Sequence, residues 1–220
     1  MAADIATGSG IRPRGPGGRP SRLQSAQLSE RILDVATGLF LGDGYGATSI
    51  EAVARRAHIS KRTFYHRFRG KEALFEAVVR RLIERWMPRF EAELPASASL
   101  VETLHRTAEL MLKAALTPEA LALHRVAIAE ATRFPALARI LHDLGAAAGI
   151  ERIARHLEAG IAGGEIRSID ARFAAEQFIM MVVTVPRRRA LGLGAPFGPA
   201  ERQGWIDATV ALFIDGCRRG

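Results

Sequence analysis

Apolar and polar residues follow one another along this chain almost throughout with the period of a helix. Leu28, Ile32, Val35, Ala36, Leu39 and Phe40 share one face, and Gly42-Asp43-Gly44-Tyr45 ends that run. Ile50, Val53, Ala54 and Ala57 then recur at i, i+3, i+4 and i+7, which predicts a short second helix. Ser60 is suited to cap a third, because its hydroxyl can accept from an otherwise unpaired backbone N–H. The third helix buries Phe64 and Phe68, four apart, and leaves Arg62, Thr63, Tyr65 and His66 facing elsewhere. A fourth helix is expected from near Gly70-Lys71 to about Trp86, with Leu74, Phe75, Val78, Val79, Leu82, Ile83 and Trp86 inward. Further helices are expected near 98–116, 118–132, 136–162, 170–190 and 200–218. Pro118 fits a first turn, Phe134-Pro135 a break, Gly163-Gly164 a stop and Asp170 a cap. No sustained alternation suggests strands, so the fold class is all-α.

Two short helices at an angle, with a cationic and aromatic face left on the second, describe a helix–turn–helix. Charge placement supports that reading. The chain carries a net +8, and residues 1–90 hold 16 Lys/Arg against 8 Asp/Glu, whereas residues 91–220 hold 15 of each. An arginine-biased composition (28 Arg, 3 Lys) accounts for the arginine count but not for this segregation. A polyanion-binding head on a neutral body is the footprint of a protein that binds nucleic acid.

Other classes fit less well. With 220 residues, 48% of them apolar, there is ample length for a buried core in one or two domains. Cys217 stands alone, so no intrachain disulfide is possible, and residues 1–20 lack the apolar core of a secretory signal. The most apolar stretch, Phe178 to Val185, is too short to span a bilayer. The expectation is a cytoplasmic protein without a membrane segment. The histidines show no metal-ligand spacing, and neither a phosphate loop nor a cysteine pair is present. An enzyme is not expected, and no cofactor or metal is.

The region around the helix–turn–helix resembles the DNA-binding domain of the tetracycline-repressor (TetR) family of bacterial transcription regulators. The resemblance rests on Thr48, the Ile50/Val53/Ala54/Ala57 stripe, Ser60-Lys61, Thr63-Phe64-Tyr65, Phe68 and Lys71-Glu72-Ala73-Leu74-Phe75, with the upstream helix fitting as well. His58 departs from the family's frequent glycine in the inter-helix turn, and Arg62 from a frequent small residue. The second half resembles the family's larger domain more loosely, through its helices and the stretch Gly164 to Asp170. The resemblance implies a three-helix helix–turn–helix DNA-binding domain joined to a larger helical ligand-binding and dimerisation domain. Residues 1–24 are then a basic arm, 25–70 the DNA-binding domain (motif about 49–68), and 71–220 the effector-binding and dimerisation domain. Arg12, Arg14, Arg19 and Arg22 in the arm either follow DNA or belong to a solvated tail.

By the match to the motif, Thr48, Lys61, Thr63, Tyr65 and Lys71 would mainly hold phosphates, with Ser60 beside them as the cap. Arg62 and His66, on the exposed face, are the candidates for base edges. For Tyr65 the alternative is packing against the first helix. The implied partners are double-stranded DNA bearing a near-palindromic operator, a second copy of the chain, and a small-molecule effector. The homodimer would be a four-helix bundle of helices 170–190 and 200–218, with Ile179, Val182, Trp205, Ile206, Thr209, Val210 and Phe213 as candidate contacts. The alternative is a large monomer core.

The implied effector cavity has His124 as its leading polar candidate, since Ala120, Leu121, Ala127, Ile128 and Ala131 around it are apolar. Arg125, Met111, Phe134, Phe178 and Met181 complete the candidate lining, although such residues are more often plain core. Glu130 and Arg133, three apart, suggest a local ion pair. The functional expectation is a sequence-specific transcriptional regulator, a repressor released from its operator by a small ligand. Two other classes compete: a non-specific architectural nucleic-acid binder, and a ligand-sequestering protein with a vestigial DNA head.

Overall fold

The computed structural model describes residues 22–85 and 98–218, and every described element is helical. The helices are α1 (Arg22–Gly42), α2 (Ile50–Arg56), α3 (Lys61–Tyr65), α4 (Lys71–Glu84), α5 (Leu100–Ala115), α6 (Pro118–Glu130), α7 (Pro135–Leu141), α8 (Ala147–Ala162), α9 (Ala171–Ala190) and α10 (Pro199–Cys217). Arg12, Arg14, Arg19 and Trp86 lie outside the described residues, and Arg22 already belongs to α1.

Helix boundaries follow local chemistry. Ser49, Ser60, Thr117 and Asp170 each accept a backbone N–H three residues on, and Ser99 forms a reciprocal capping box with Glu102. At the end of α2 the amide of Ile59 donates to the Ala54 carbonyl (2.9 Å) and that of His58 to Arg55 (3.2 Å). This six-to-one closure needs a left-handed residue at position 58. His58 supplies it with φ 52°, the lone positive φ outside glycine among the described residues.

One expectation needs amendment. The stretch 136–162 is not a continuous α-helix: His142–Ala146 form a wider π-helical turn between α7 and α8. Such turns insert a residue into an α-helix and recur at functional sites; this one lies on the cavity wall described below.

The described residues pack into two apolar cores. The first joins α1, α2 and α3 to α4, and continues into Leu123 and Val126 of α6 and Leu137 of α7. The expected boundary between residues 70 and 71 falls at the start of α4, whose apolar face shares this core with α1–α3. Phe64, fully buried, anchors α3 here; burying such a side chain contributes about 1.5–3 kcal/mol. Arg67 ties the end of α3 back to α1 through Ser29 Oγ (2.6 Å) and Ser25 Oγ (3.1 Å). Arg81 does the same for α4 through Asp34 (2.7 Å) and Thr37 (2.8 Å).

The second core is built from α5, α8, α9 and α10. Pro186 interrupts the hydrogen-bond ladder of α9, because proline has no N–H to offer the Val182 carbonyl four residues back. The indole Nε1 of Trp205 donates to that carbonyl instead, at 3.0 Å, and so joins α10 to α9.

This second core revises the expected dimer contacts. Val182, Ile206, Thr209, Val210 and Phe213 are buried in the chain's own core. Trp205 is half-buried, and Ile179 faces a cavity. The opposite surface is the open one: Phe173 (61% exposed) and Met180 (53%) on α9, with Leu212 (67%) on α10 beside the small residues Gly204, Ala208 and Ala211. Packing, not periodicity, decides which side of α10 faces inward.

Candidate DNA-binding face and effector cavity

The surface of α3 is set from beneath by Phe64 and Phe68. Ser60 Oγ accepts the Thr63 amide (3.0 Å) and lies 2.9 Å from the Thr63 hydroxyl, fixing the first turn. With Phe64 inward, Lys61, Arg62, Tyr65 and His66 are exposed. Tyr65 is 55% exposed, its ring edge-on to Phe64 at 5.4 Å, so it does not pack away against α1. Lys61 pairs with Glu51 of α2, which raises the lysine's pKa and lowers that of the carboxyl. Arg62 and His66 carry no described partner for their side chains. The face therefore presents cations, a phenol and an imidazole on a rigid turn, the groups that meet phosphates and base edges in a major groove.

Two expected phosphate ligands are turned inward. Thr48 is 2% exposed, and its hydroxyl donates to the Gly44 carbonyl (2.8 Å). Lys71 Nζ donates to the carbonyls of Tyr45 (2.8 Å) and Thr48 (2.9 Å), with Gly46 at 3.4 Å, and stands 4.3 Å over the Tyr45 ring. The carbonyls of the α1–α2 turn converge on one point, and an ammonium satisfies them. Burial lowers the Lys71 pKa, Glu130 opposing.

The same turn meets the second half of the chain. Glu130, at the end of α6, accepts the Gly46 amide at 2.7 Å, the interaction that replaces the expected pairing with Arg133. A Cβ at Gly46 would lie 3.0 Å from that carboxylate, so a larger residue would push Glu130 back by a few tenths of an ångström. Phe134 follows, edge-on to Tyr45 at 5.0 Å.

Between the two cores lies a cavity of about 970 Å³, bordered by α4 to α9. Its wall is mainly apolar, with Leu82, Met111, Leu123, Ile153, Ile179 and Val183 among the lining residues. Met111 and His124 are there as expected. Arg125 points outward, Phe134 belongs to the Tyr45 contact, Phe178 is fully buried in the second core, and Met181 packs against that core. The sequence reading missed Thr107, His142 and Arg187. Thr107 was detectable as a polar residue on the inward stripe Leu100/Leu104/Thr107/Met111. Arg187, in a run of three arginines, carried no signal separating it from its exposed neighbour Arg188.

Arg187 Nη1 lies 3.3 Å from His124 Nδ1. A guanidinium can only donate, so Nδ1 accepts and the imidazole carries its proton on Nε2. Burial, reinforced by Arg187, lowers the His124 pKa and favours the neutral ring; burial lowers that of Arg187 as well, but a guanidinium is charged in proteins.

A helix–turn–helix head joined to a helical body with a cavity at their junction is the architecture of a DNA-binding transcriptional regulator. Residues 32–78 match the family model of bacterial regulatory proteins of the tetR family, and residues 102–216 that of the AefR-like transcriptional repressor C-terminal domain. The chain belongs to the TetR family of transcriptional regulators.

Solved structures agree over most of the length. A protein from Mesorhizobium loti MAFF303099, described as a TetR-family transcriptional regulator, shares 28% identity at a TM-score of 0.75, over 89% of this chain and 98% of that one. The flavonoid-responsive regulator FrrA shares 31% identity at a TM-score of 0.75, over 88% and 98%. The HTH-type regulator UidR of Escherichia coli (strain K12) is 38% identical over 60 residues, 27% of this chain and 31% of UidR. YhgD of Bacillus subtilis (strain 168) is 32% identical over 82 residues, 37% of this chain and 43% of YhgD. The chain thus matches under half the length of these curated relatives. Among the described residues, no helix is long and apolar enough to cross a membrane.

Proposed function

We propose that the protein is a dimeric repressor that leaves its operator when a small molecule enters the cavity between the two cores. The observation that carries this is the double duty of α6. Leu123 and His124 line the cavity, while Glu130 at the helix end holds the Gly46 amide of the α1–α2 turn. Leu82 and Leu123 belong to the wall of the cavity and to the core of the DNA-binding head at once. A ligand that shifts α6 therefore biases the position of α2 and α3, the two-state element such coupling requires. The likeness to a flavonoid-responsive regulator and to a repressor C-terminal domain supports both ligand response and repression.

Dimerisation follows from the open stripe of Phe173, Met180 and Leu212, an apolar surface that a second copy would cover about a two-fold axis. The small residues of α10 allow close helix approach. Two α3 faces related by that axis read two half-sites of a near-palindrome. Arg62 and His66 then address base edges, with Ser60, Lys61, Thr63 and Tyr65 at the backbone.

The test is selection of binding sites from a random duplex library at about 0.15 M salt. Recovery of a near-palindrome, from which ligands found by screening release the protein, is the expected result. Salt-sensitive binding with no enriched sequence would refute the reading in favour of an architectural binder.

A further inference from the structure

Among the charged groups on the cavity wall, Arg187 is the one held beside a histidine. Arg187 reaches the cavity from α9, and among the described residues no carboxylate pairs with it; its hydrogen-bonding partner there is the neutral ring of His124. Arg85 and Glu119, of opposite charge, also border the cavity, and both are exposed. Thr107, 2% exposed and on the same wall, has a hydroxyl without a protein hydrogen-bond partner. A half-buried guanidinium beside an apolar surface is costly unless an anion joins it.

We infer that the effector is an amphipathic organic anion whose charged head pairs with Arg187 and whose apolar body lies along Met111, Leu123, Ile153, Ile179 and Val183. This rests on the reading of the cavity as the effector site. The guanidinium fork offers an acidic head two parallel donors. His124, with its proton on Nε2, is a neutral donor that does not compete for the negative charge. The volume of about 970 Å³ admits a ligand of drug size.

A matched pair of fluorescent probes tests this without knowledge of the natural ligand. Anilinonaphthalene sulfonate and phenylnaphthylamine share one ring system and differ by the sulfonate. The intact protein should bind the sulfonate about tenfold to a hundredfold more tightly, the range of hydrogen bonds to charged groups. Arg187→Met should erase that preference, Arg187→Lys should keep part of it, and the exposed Arg188→Met should leave it unchanged. Met111→Trp, which narrows the apolar part of the cavity, should weaken both probes alike. Equal or tighter binding of the uncharged probe to the intact protein overturns the anion assignment while leaving the cavity reading in place, and needs no variant to fold. Binding of neither probe to the intact protein overturns the cavity reading and the assignment together.

Discussion

Replacing Lys71 with methionine separates a role in architecture from a role at the DNA backbone. The ammonium donates to two carbonyls at 2.8 and 2.9 Å and stands over the Tyr45 ring. Each hydrogen bond to a charged group contributes about 1.5–3 kcal/mol net, and a partly exposed cation–π contact about 0.5–1 kcal/mol. Against this stands the cost of partly burying the ammonium, visible in its lowered pKa. Methionine keeps the length of the chain but leaves the carbonyls of the α1–α2 turn without their donor. The expected loss is roughly 2–3 kcal/mol, read as a lower urea midpoint at fixed protein concentration. Operator affinity is then measured across a salt series. A phosphate contact contributes about 0.9 to the slope of log K against log salt, so losing one per half-site lowers the slope by about 1.8 over two half-sites. The clamp predicts an unchanged slope. An unchanged urea midpoint together with a slope lowered by that amount would refute the inward assignment and return Lys71 to the DNA.

Four further outcomes are expected. Arg62→Ala costs roughly 1–3 kcal/mol per half-site and relaxes specificity at one base, measured by titration of operator and random duplex; equal losses on both would sink the base-edge role. Glu130→Ala removes the acceptor for the Gly46 amide and destabilises the junction by about 1–2 kcal/mol, so amide exchange at Gly46 accelerates by about tenfold for each 1.4 kcal/mol; unchanged exchange speaks against the contact. Leu212→Glu, at a position 67% exposed in the single chain, shifts sedimentation from dimer to monomer without unfolding the protein. His124, whose folded pKa lies below its ordinary 6.5, disfavours the folded state in acid. Below about pH 6.5 the unfolded chain takes up a proton that the folded chain refuses, so stability falls as pH falls through that value and is independent of this group above it. His124→Gln should flatten the fall in Tm between about pH 7.5 and 5.5, and an identical profile would argue against burial.

What could be read from the sequence was what neighbours in the chain determine. The caps at Ser60 and Asp170, the stripe from Ile50 to Ala57 and the inward Phe64 are local facts, settled within one or two helical turns. The left-handed His58 is local too, set by the hydrogen bonds that close the end of α2. The misreadings share a different cause. Lys71 and Thr48 are polar and lie beside a DNA-binding motif, yet the carbonyls that capture them come from a turn whose path is fixed by α1, α4 and Phe134 together. Val210 and Leu212 are equally plausible inward residues from periodicity, and only the position of α9 separates them. Arg187 differs from Arg188 by one step of about 100° around a helix, and that step carries it from solvent to the cavity.

The bond from Trp205 to the carbonyl left open by Pro186 gives the molecule an optical reporter of its own. The indole senses its hydrogen-bond acceptor, and that acceptor, the Val182 carbonyl, lies five residues before Arg187 on the same helix. The chain has just one other tryptophan, Trp86. In a Trp86→Phe background, emission would come from a single indole attached to the helix that carries the cavity's guanidinium. Ligand entry, ordinarily inferred from loss of DNA binding, would then be visible as a spectral change in the protein alone, without label, operator or partner.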